Sequence, residues 1–360
     1  MTNREKIFFV FFLPLFSLKL LDIVSGNVIL TAASGISLLF AIGSMLRDSF
    51  RVDYAKLMVG LLLFTALLVF TSGKTGVFFS TIFLILLKDI NPNRKIYKYS
   101  FWFGLFFLLV ACYLDRNGGE VERFINGEWT TMVKRSNLLF VSFTAVVSLF
   151  LLLKRNVLTN KHIILLFVVN YLMFIYVGSR TGFLSVLVLL LLLLVFHNTK
   201  CHRNRIVYWG CLLSPFISFV FSIVTGILYG KSPIIDYLDM SFQGRIYQEF
   251  MYYNRYPITL LGQHLYEGSK VDFWNLDCAY WDILLNLGLI YTCLWLYIST
   301  KVIKFFYNKG KMIEVSILVM YSIYGISETF LPNCFLNMSF FLYAEWLYSK
   351  YGSYRKVLIC

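Results

Sequence analysis

Charge is scarce in this sequence. Only 14% of its 360 residues are Asp, Glu, Lys or Arg, where a soluble domain carries about 25%. That shortage, with 59% hydrophobic residues and a mean hydropathy of +0.71, excludes an ordinary soluble globule and leaves an integral membrane protein. Histidine is rare, at four residues, and none precedes residue 160. A membrane acyltransferase built on a histidine in an early span is therefore disfavoured. The seven cysteines have no paired spacing, so neither a disulfide framework nor a metal site is expected. No Gly-rich phosphate loop and no P-loop motif is present, and no internal repeat is evident. No segment on the basic side is long enough to fold a nucleotide-binding domain, and no cofactor is expected. The formal net charge of +14 is spread over short segments between apolar runs, a pattern of membrane topology and not of nucleic-acid binding.

What the chain has in abundance is apolar runs. A span needs roughly 20 mostly apolar residues, and twelve runs qualify as candidates: about 7–23, 28–46, 57–73, 75–88, 99–114, 137–153, 162–178, 181–197, 206–228, 279–300, 313–329 and 332–349. Alternating them from a cytoplasmic N-terminus puts 22 Lys and Arg on the inside and 10 on the outside. The reading is an all-α polytopic membrane protein, a single membrane domain over 1–360. Both termini are then cytoplasmic, and the basic, apolar N-terminus is an uncleaved signal-anchor. Thirteen of the nineteen acidic residues fall outside. Two polar loops are expected on that face, a smaller one over 115–136 and the longest interruption of the chain over 230–276.

The large loop organises the chemistry. Residues Asp236–Tyr253 can form an amphipathic helix in which Arg245, Glu249 and Tyr252 share a face. Arg180 sits in the tight turn Gly178-Ser179-Arg180-Thr181-Gly182, and Arg135 precedes a span. Guanidinium forks bind phosphate bidentately, so three of them on one face suit a diphosphate. Each can also be read as an anchor to headgroup phosphate, and Arg245–Glu249 as a simple i,i+4 pair worth under ~0.5 kcal/mol. Asp277 opens a span, where an acid also favours the helix N-terminus. Asp282 lies about 7.5 Å deeper at helical rise, a costly depth that demands a partner. His264 is the sole histidine of the outer loops. Tyr252, Tyr253, Tyr256, Trp274 and Trp281 can stack on sugar rings or serve as an aromatic belt.

These residues carry a resemblance. Gly178-Ser179-Arg180-Thr181-Gly182-Phe183 at the head of an apolar run looks like the Ser-Arg-x-Gly element of the O-antigen polymerase/ligase superfamily. Gly244-Arg245, Pro257 and Gly262 are similar to its outer-loop pattern, with His264 where the second Gly of Gly-x-Gly would stand. Asp277-Cys278-x-Tyr280 and Gly288-Leu289-Ile290 resemble the block at the head of the next span. A ligase usually has His-Asn before that aromatic, so Asp277-Cys278 favours a Wzy-type polymerase. Arg135-Ser136-Asn137 is loosely similar to the Arg- and Asn-containing element, without its Pro-Asn. The resemblance covers roughly residues 130–300.

It implies a bacterial inner-membrane enzyme that takes a polyprenyl-diphosphate glycan as donor and a second lipid-linked repeat unit as acceptor. The growing chain moves onto the incoming unit with inversion, yielding O-antigen, capsule or exopolysaccharide. A flippase and a chain-length regulator are possible partners. Arg180 and Arg245 are assigned to the diphosphate, with Arg135 in support. Asp277 is the first candidate for the base and Glu249 the second. His264, Tyr252, Tyr256 and Trp281 are candidate sugar or acceptor contacts. A lipid-linked oligosaccharide flippase and an O-antigen ligase are the alternatives.

Overall fold

The computed structural model describes Phe9 and residues 52–87, 94–117, 120–125, 128–133, 137–199, 201–265 and 276–351. It is helical. The elements are α1 (Val52–Ser72), α2 (Gly76–Leu86), α3 (Arg94–Asn117), β1 (Glu120–Ile125), β2 (Glu128–Val133), α4 (Asn137–Lys154), α5 (Asn160–Val177) and α6 (Arg180–Asn198). Then follow α7 (Arg205–Leu228), α8 (Pro233–Ser241), α9 (Arg245–Arg255), α10 (Ala279–Asp282), α11 (Gly288–Asn308), α12 (Met312–Tyr324) and α13 (Phe340–Tyr351). Among the described residues, six helical stretches are long and apolar enough to cross a membrane: those within α3, α4, α5, α6, α7 and the joined α10–α11. The expected runs at 7–23 and 28–46 fall outside the described residues, apart from Phe9.

Helix α5 shows why these segments suit lipid. Its buried stripe is Ile163, Leu166, Asn170, Met173 and Val177, at helical spacing. Its outward face carries Ile164, Leu165, Val168, Leu172 and Ile175. A helix apolar on both faces belongs in a bilayer, not at a water interface.

The chain divides into two compact units. One comprises Met1–Arg47 and Pro92–Leu191, the other Asp48–Asn91 and Leu192–Cys360. In the first, α3 packs on α4 and α4 on α5, and α4 is the most enclosed of the six stretches. Asn170 Nδ2 donates to the Phe183 carbonyl at 3.3 Å and Tyr176 Oη to that of Cys112 at 2.6 Å. The expected loop over 115–136 contains an antiparallel hairpin, β1 with β2, pairing Glu120 with Val133 and Ile125 with Glu128.

In the second unit α7 is the central post, packing against α9, α11 and α12. Pro215 inside α7 cannot donate to the Cys211 carbonyl, and Ser214 Oγ does so instead at 2.9 Å.

Three expectations are corrected here. The single amphipathic helix over Asp236–Tyr253 is two helices, because Gln243 (φ 59°) and Gly244 (φ 80°) are both left-handed and break the ladder. Asp239 Oδ1 then caps α9, accepting from the N–H groups of Ile246 (2.8 Å) and Tyr247 (3.2 Å).

The run 332–349 is helical only from Phe340. Residues 325–339 form a largely buried chain of turns around Pro332. Side chains satisfy that backbone. Ser80 Oγ donates to the Pro332 carbonyl (2.6 Å) and accepts from Cys334 N–H (3.0 Å), while Asn337 Nδ2 donates to the Leu331 carbonyl (2.9 Å). Irregular backbone inside a membrane protein requires such satisfaction.

The run 279–300 is also not one regular helix. A π turn, Ile283–Leu287, separates α10 from α11 at Gly288. The loop strand 259–263 hydrogen-bonds into the break, with Leu289 N–H on the Thr259 carbonyl (2.9 Å), Ile290 N–H on Leu260 (3.2 Å) and Gln263 N–H on Asn286 (3.2 Å). The approach is so close that a Cβ on Gly262 would stand 1.9 Å from the Asn286 carbonyl oxygen.

Candidate functional site

The site is built where α9 lies against the heads of the following helices in the second unit. Its sequence turns Arg245, Ile246, Gln248, Glu249 and Tyr252 inward. The polar face is therefore the buried one, opposite to a helix that merely floats on a membrane surface.

Arg245 is only 5% exposed. Its guanidinium donates from Nη2 to Glu328 Oε1 at 3.0 Å and lies with Nε 3.5 Å from Asp277 Oδ2. Glu328 comes from the turns after α12, and Asp277 from the segment just before α10. The two carboxylates differ in setting: the Glu328 side chain is 12% exposed and that of Asp277 38%. Burial pushes the Glu328 carboxyl up to about 7, with the Arg245 charge opposing and Asp277 reinforcing. Tyr324, whose hydroxyl is buried without a hydrogen-bond partner, feels the charges of both Glu328 and Arg245.

Glu249 lies one turn further along α9 and is 2% exposed. Its Oε2 has no hydrogen-bond partner. Burial raises its carboxyl to about 8, against the lowering effect of Cys278 and the Arg245 charge. Glu249 is thus the buried carboxyl of the site and Asp277 the more exposed one. Asp239 beside them is also raised by burial, an effect offset by the two α9 N–H groups it accepts.

Trp281 is fully buried, and its indole N–H donates to the Ser222 carbonyl at 3.0 Å. A Cβ on Gly226 would come within 2.8 Å of that indole and 3.1 Å of the Glu249 Cβ. Trp281 is thus a wall between α7 and α9. Tyr252 is buried and stacks on half-buried Tyr256 (5.8 Å, 24°), over which Arg255 lies at 5.6 Å.

No protein-family model, curated protein or solved structure matches this chain. The functional reading therefore rests on the residues themselves.

Of the expected site residues, the structure joins Arg245 and Asp277 directly and sets Glu249 beside them. His264 is exposed in the same unit, its ring against Gly73. Arg180 belongs to the first unit, exposed at the N-terminus of α6, and Arg135 lies outside the described residues. Asp282 is buried as its depth demanded, and its partner is Lys74 at 3.4 Å. Sequence reasoning missed Glu328 and Lys74 as site residues. The available signal was that both interrupt or end apolar runs on the side assigned to Arg245. Among the described residues no three His, Cys, Asp or Glu side chains gather as metal ligands.

What the arrangement can do follows from its charges. A buried guanidinium held by two carboxylates presents donors of the kind that phosphate oxygens also accept. Asp277, the more exposed partner, is the one an incoming anion would displace.

Proposed function

We propose that this chain is a membrane glycosyltransferase that polymerises polyprenyl-diphosphate-linked oligosaccharide repeat units at the outer face of a bacterial cell membrane. The observation that carries this reading is the buried Arg245 held between Asp277 and Glu328. In this reading the chain spans the bilayer about twelve times, with both termini cytoplasmic. The contacts Arg245–Asp277, Arg245–Glu328 and Lys74–Asp282 support that alternation, because it assigns all five residues to one side.

The donor diphosphate binds Arg245, while Arg180 and Arg135 are phosphate-binding candidates from the family resemblance alone. The acceptor hydroxyl oxygen attacks the anomeric carbon, and the bond from that carbon to the diphosphate oxygen breaks. The hydroxyl proton passes to Asp277, and the bonding pair leaves with the polyprenyl diphosphate. A fixed guanidinium stabilises the charge developing on the leaving group by typically a few kcal/mol. Exchange of partners on Arg245 couples donor binding to activation of the base.

A second reading, a lipid-linked oligosaccharide flippase, is favoured by one observation: the broken helix at Gly288 with buried Asp282 on its outer half. Discontinuous helices with polar groups at the break mark transporter sites. Gel profiles of surface glycan from cells lacking the protein separate the two. Loss of the polymer ladder, with single repeat units still on the outer leaflet, supports the polymerase. Repeat units stranded on the inner leaflet support the flippase, and an unchanged ladder removes both. Within the first outcome, Arg180→Ala and Arg245→Ala proteins insert normally but fail to lengthen the chain. Full-length glycan from both variants sinks the assignment.

A further inference from the structure

A groove of about 500 Å³ runs along the N-terminal part of α7, lined by Arg205, Ile206, Trp209, Gly210, Leu213 and Ile217. The sequence makes it. Ile206, Gly210, Leu213 and Ile217 follow one another at helical spacing and form one stripe of the helix. Gly210 is the gap in that stripe, since a Cβ there would meet nothing within 4 Å. The flanking aromatic wall is held in place. Trp209 lies edge-on to Tyr208 at 5.3 Å, and Tyr208 lies edge-on to Tyr307 of α11 at 5.0 Å. The Tyr307 hydroxyl donates to the His202 carbonyl. The groove is therefore preformed, and apart from Arg205 its lining is aliphatic or aromatic.

Its dimensions and its charge describe one occupant. Helix α7 is long and apolar enough to cross a membrane, so lipid chains are the natural cover of its exposed residues Ile206, Trp209, Leu213 and Ile217. From Arg205 to Ile217 the helix rises about 18 Å, and the hydrocarbon of one leaflet is about 15 Å deep. The groove thus runs the depth of one leaflet. At its outer end Arg205 is exposed, and among the described residues no acid pairs with it. The helix start adds positive partial charge at the same end. Trp209, one turn further in, stands where interfacial aromatics sit. A cation at the headgroup level and an apolar channel one leaflet deep complement an amphiphile with an anionic head and a hydrocarbon chain. A chain held against fixed walls keeps its contacts without reordering them, which separates a seated lipid from the shifting ones around it.

We propose that this groove binds one anionic phospholipid, with its phosphate at Arg205 and one of its chains over Gly210 and along Leu213 to Ile217. In the topology proposed above that lipid belongs to the cytoplasmic leaflet. The inference stands on α7 and does not depend on glycosyl transfer.

Native mass spectrometry of the full-length protein in detergent, titrated with phosphatidylglycerol or with phosphatidylcholine of identical chains, tests it. One phosphatidylglycerol per chain is expected to bind about fivefold tighter than the zwitterionic lipid, the worth of one interfacial basic residue. Arg205→Gln should abolish that preference and leave phosphatidylcholine binding unchanged. Gly210→Leu should fill the groove and weaken both lipids about tenfold or more. Both positions are exposed and the space over Gly210 is open, so the variants fold. Arg203→Gln is the control, because Arg203 is exposed two residues earlier and does not line the groove. An equal loss of preference in Arg203→Gln makes the effect diffuse surface charge and overturns the inference. A wild type without preference, a preference that survives Arg205→Gln, or wild-type binding by Gly210→Leu overturns it as well. Farnesyl monophosphate that binds with the same dependence on Arg205 and Gly210, where phosphatidylglycerol does not, would assign the groove to a polyprenyl ligand and overturn the choice of a phospholipid.

Discussion

Arg245 has two acidic partners, and they sit in different surroundings. Glu328 is 12% exposed and bonds Nη2 at 3.0 Å, while Asp277 is 38% exposed and lies 3.5 Å from Nε. Removing one partner of a buried pair leaves an uncompensated charge and costs about 3–5 kcal/mol. At the partly open rim of this site Glu328→Ala should cost about 3 kcal/mol, the lower end of that range. Asp277→Asn breaks a longer, solvent-screened pair and should cost under ~1 kcal/mol. For catalysis the order reverses. Asp277→Asn removes the proton acceptor and should cut the chemical step by about 10²–10⁴-fold, the usual worth of a general base. Glu328→Gln keeps an acceptor for Nη2 and should lower transfer only several-fold. Thermal unfolding in detergent followed by tryptophan fluorescence gives the first ranking, and single-turnover transfer between lipid-linked repeat units gives the second. An Asp277→Asn protein as destabilised as Glu328→Ala, or one that transfers at the wild-type rate, would refute the division of labour.

Three further outcomes are expected. Burial holds the Glu249 and Glu328 carboxyls at about 8 and about 7, above the ordinary value of 4.5. The folded state therefore binds more protons than the unfolded state, and stability falls as pH rises from about 4.5 to about 8 before levelling off; a Glu249→Gln protein whose melting temperature declines over pH 5–8 as steeply as wild type would contradict this. Gly262→Ala must hold φ near +78° with its Cβ 1.9 Å from a backbone oxygen, so it should part the loop from the helix break, and normal proteolytic resistance around 259–290 would refute that. Gly226→Ala should cost about 1–3 kcal/mol by overpacking Trp281 and Glu249, a loss checked by the same unfolding assay.

Much of this was legible in the sequence because it follows from depth and period. The apolar runs gave most of the described helices, since a 20-residue apolar stretch has few other uses. The i, i+4, i+7 spacing of Arg245, Glu249 and Tyr252 set them on one face, and burial keeps them together. The cost of a carboxylate at the depth of Asp282 demanded a partner. The partner's identity was not legible: Lys74 lies more than 200 residues away, and composition does not pair turns. Nor was the α8–α9 break, half of which rests on a left-handed Gln243, a residue with no strong preference for that conformation. The apolar run 332–349 misled because turns buried in protein are as apolar as a lipid-facing helix. Only side chains such as Ser80 and Asn337, bonding its backbone, tell the two apart.

The helix break explains why the charged residues can hold still. A continuous helix over 279–308 would offer Asp282 only its own surface. The π turn and Gly288 open its backbone, and the strand 259–263 fills the opening with three hydrogen bonds. That strand also accepts from Thr71 Oγ1 at 2.9 Å, through the Leu261 carbonyl. Thus α1, the loop and α10–α11 are fastened within a few residues of Lys74 and Asp282. Rigid fixing matters for an anion site because preorganised donors need no reordering when charge develops. The break that resembles a transporter's serves equally as a brace for a site at Arg245, and the glycan profile decides between those uses.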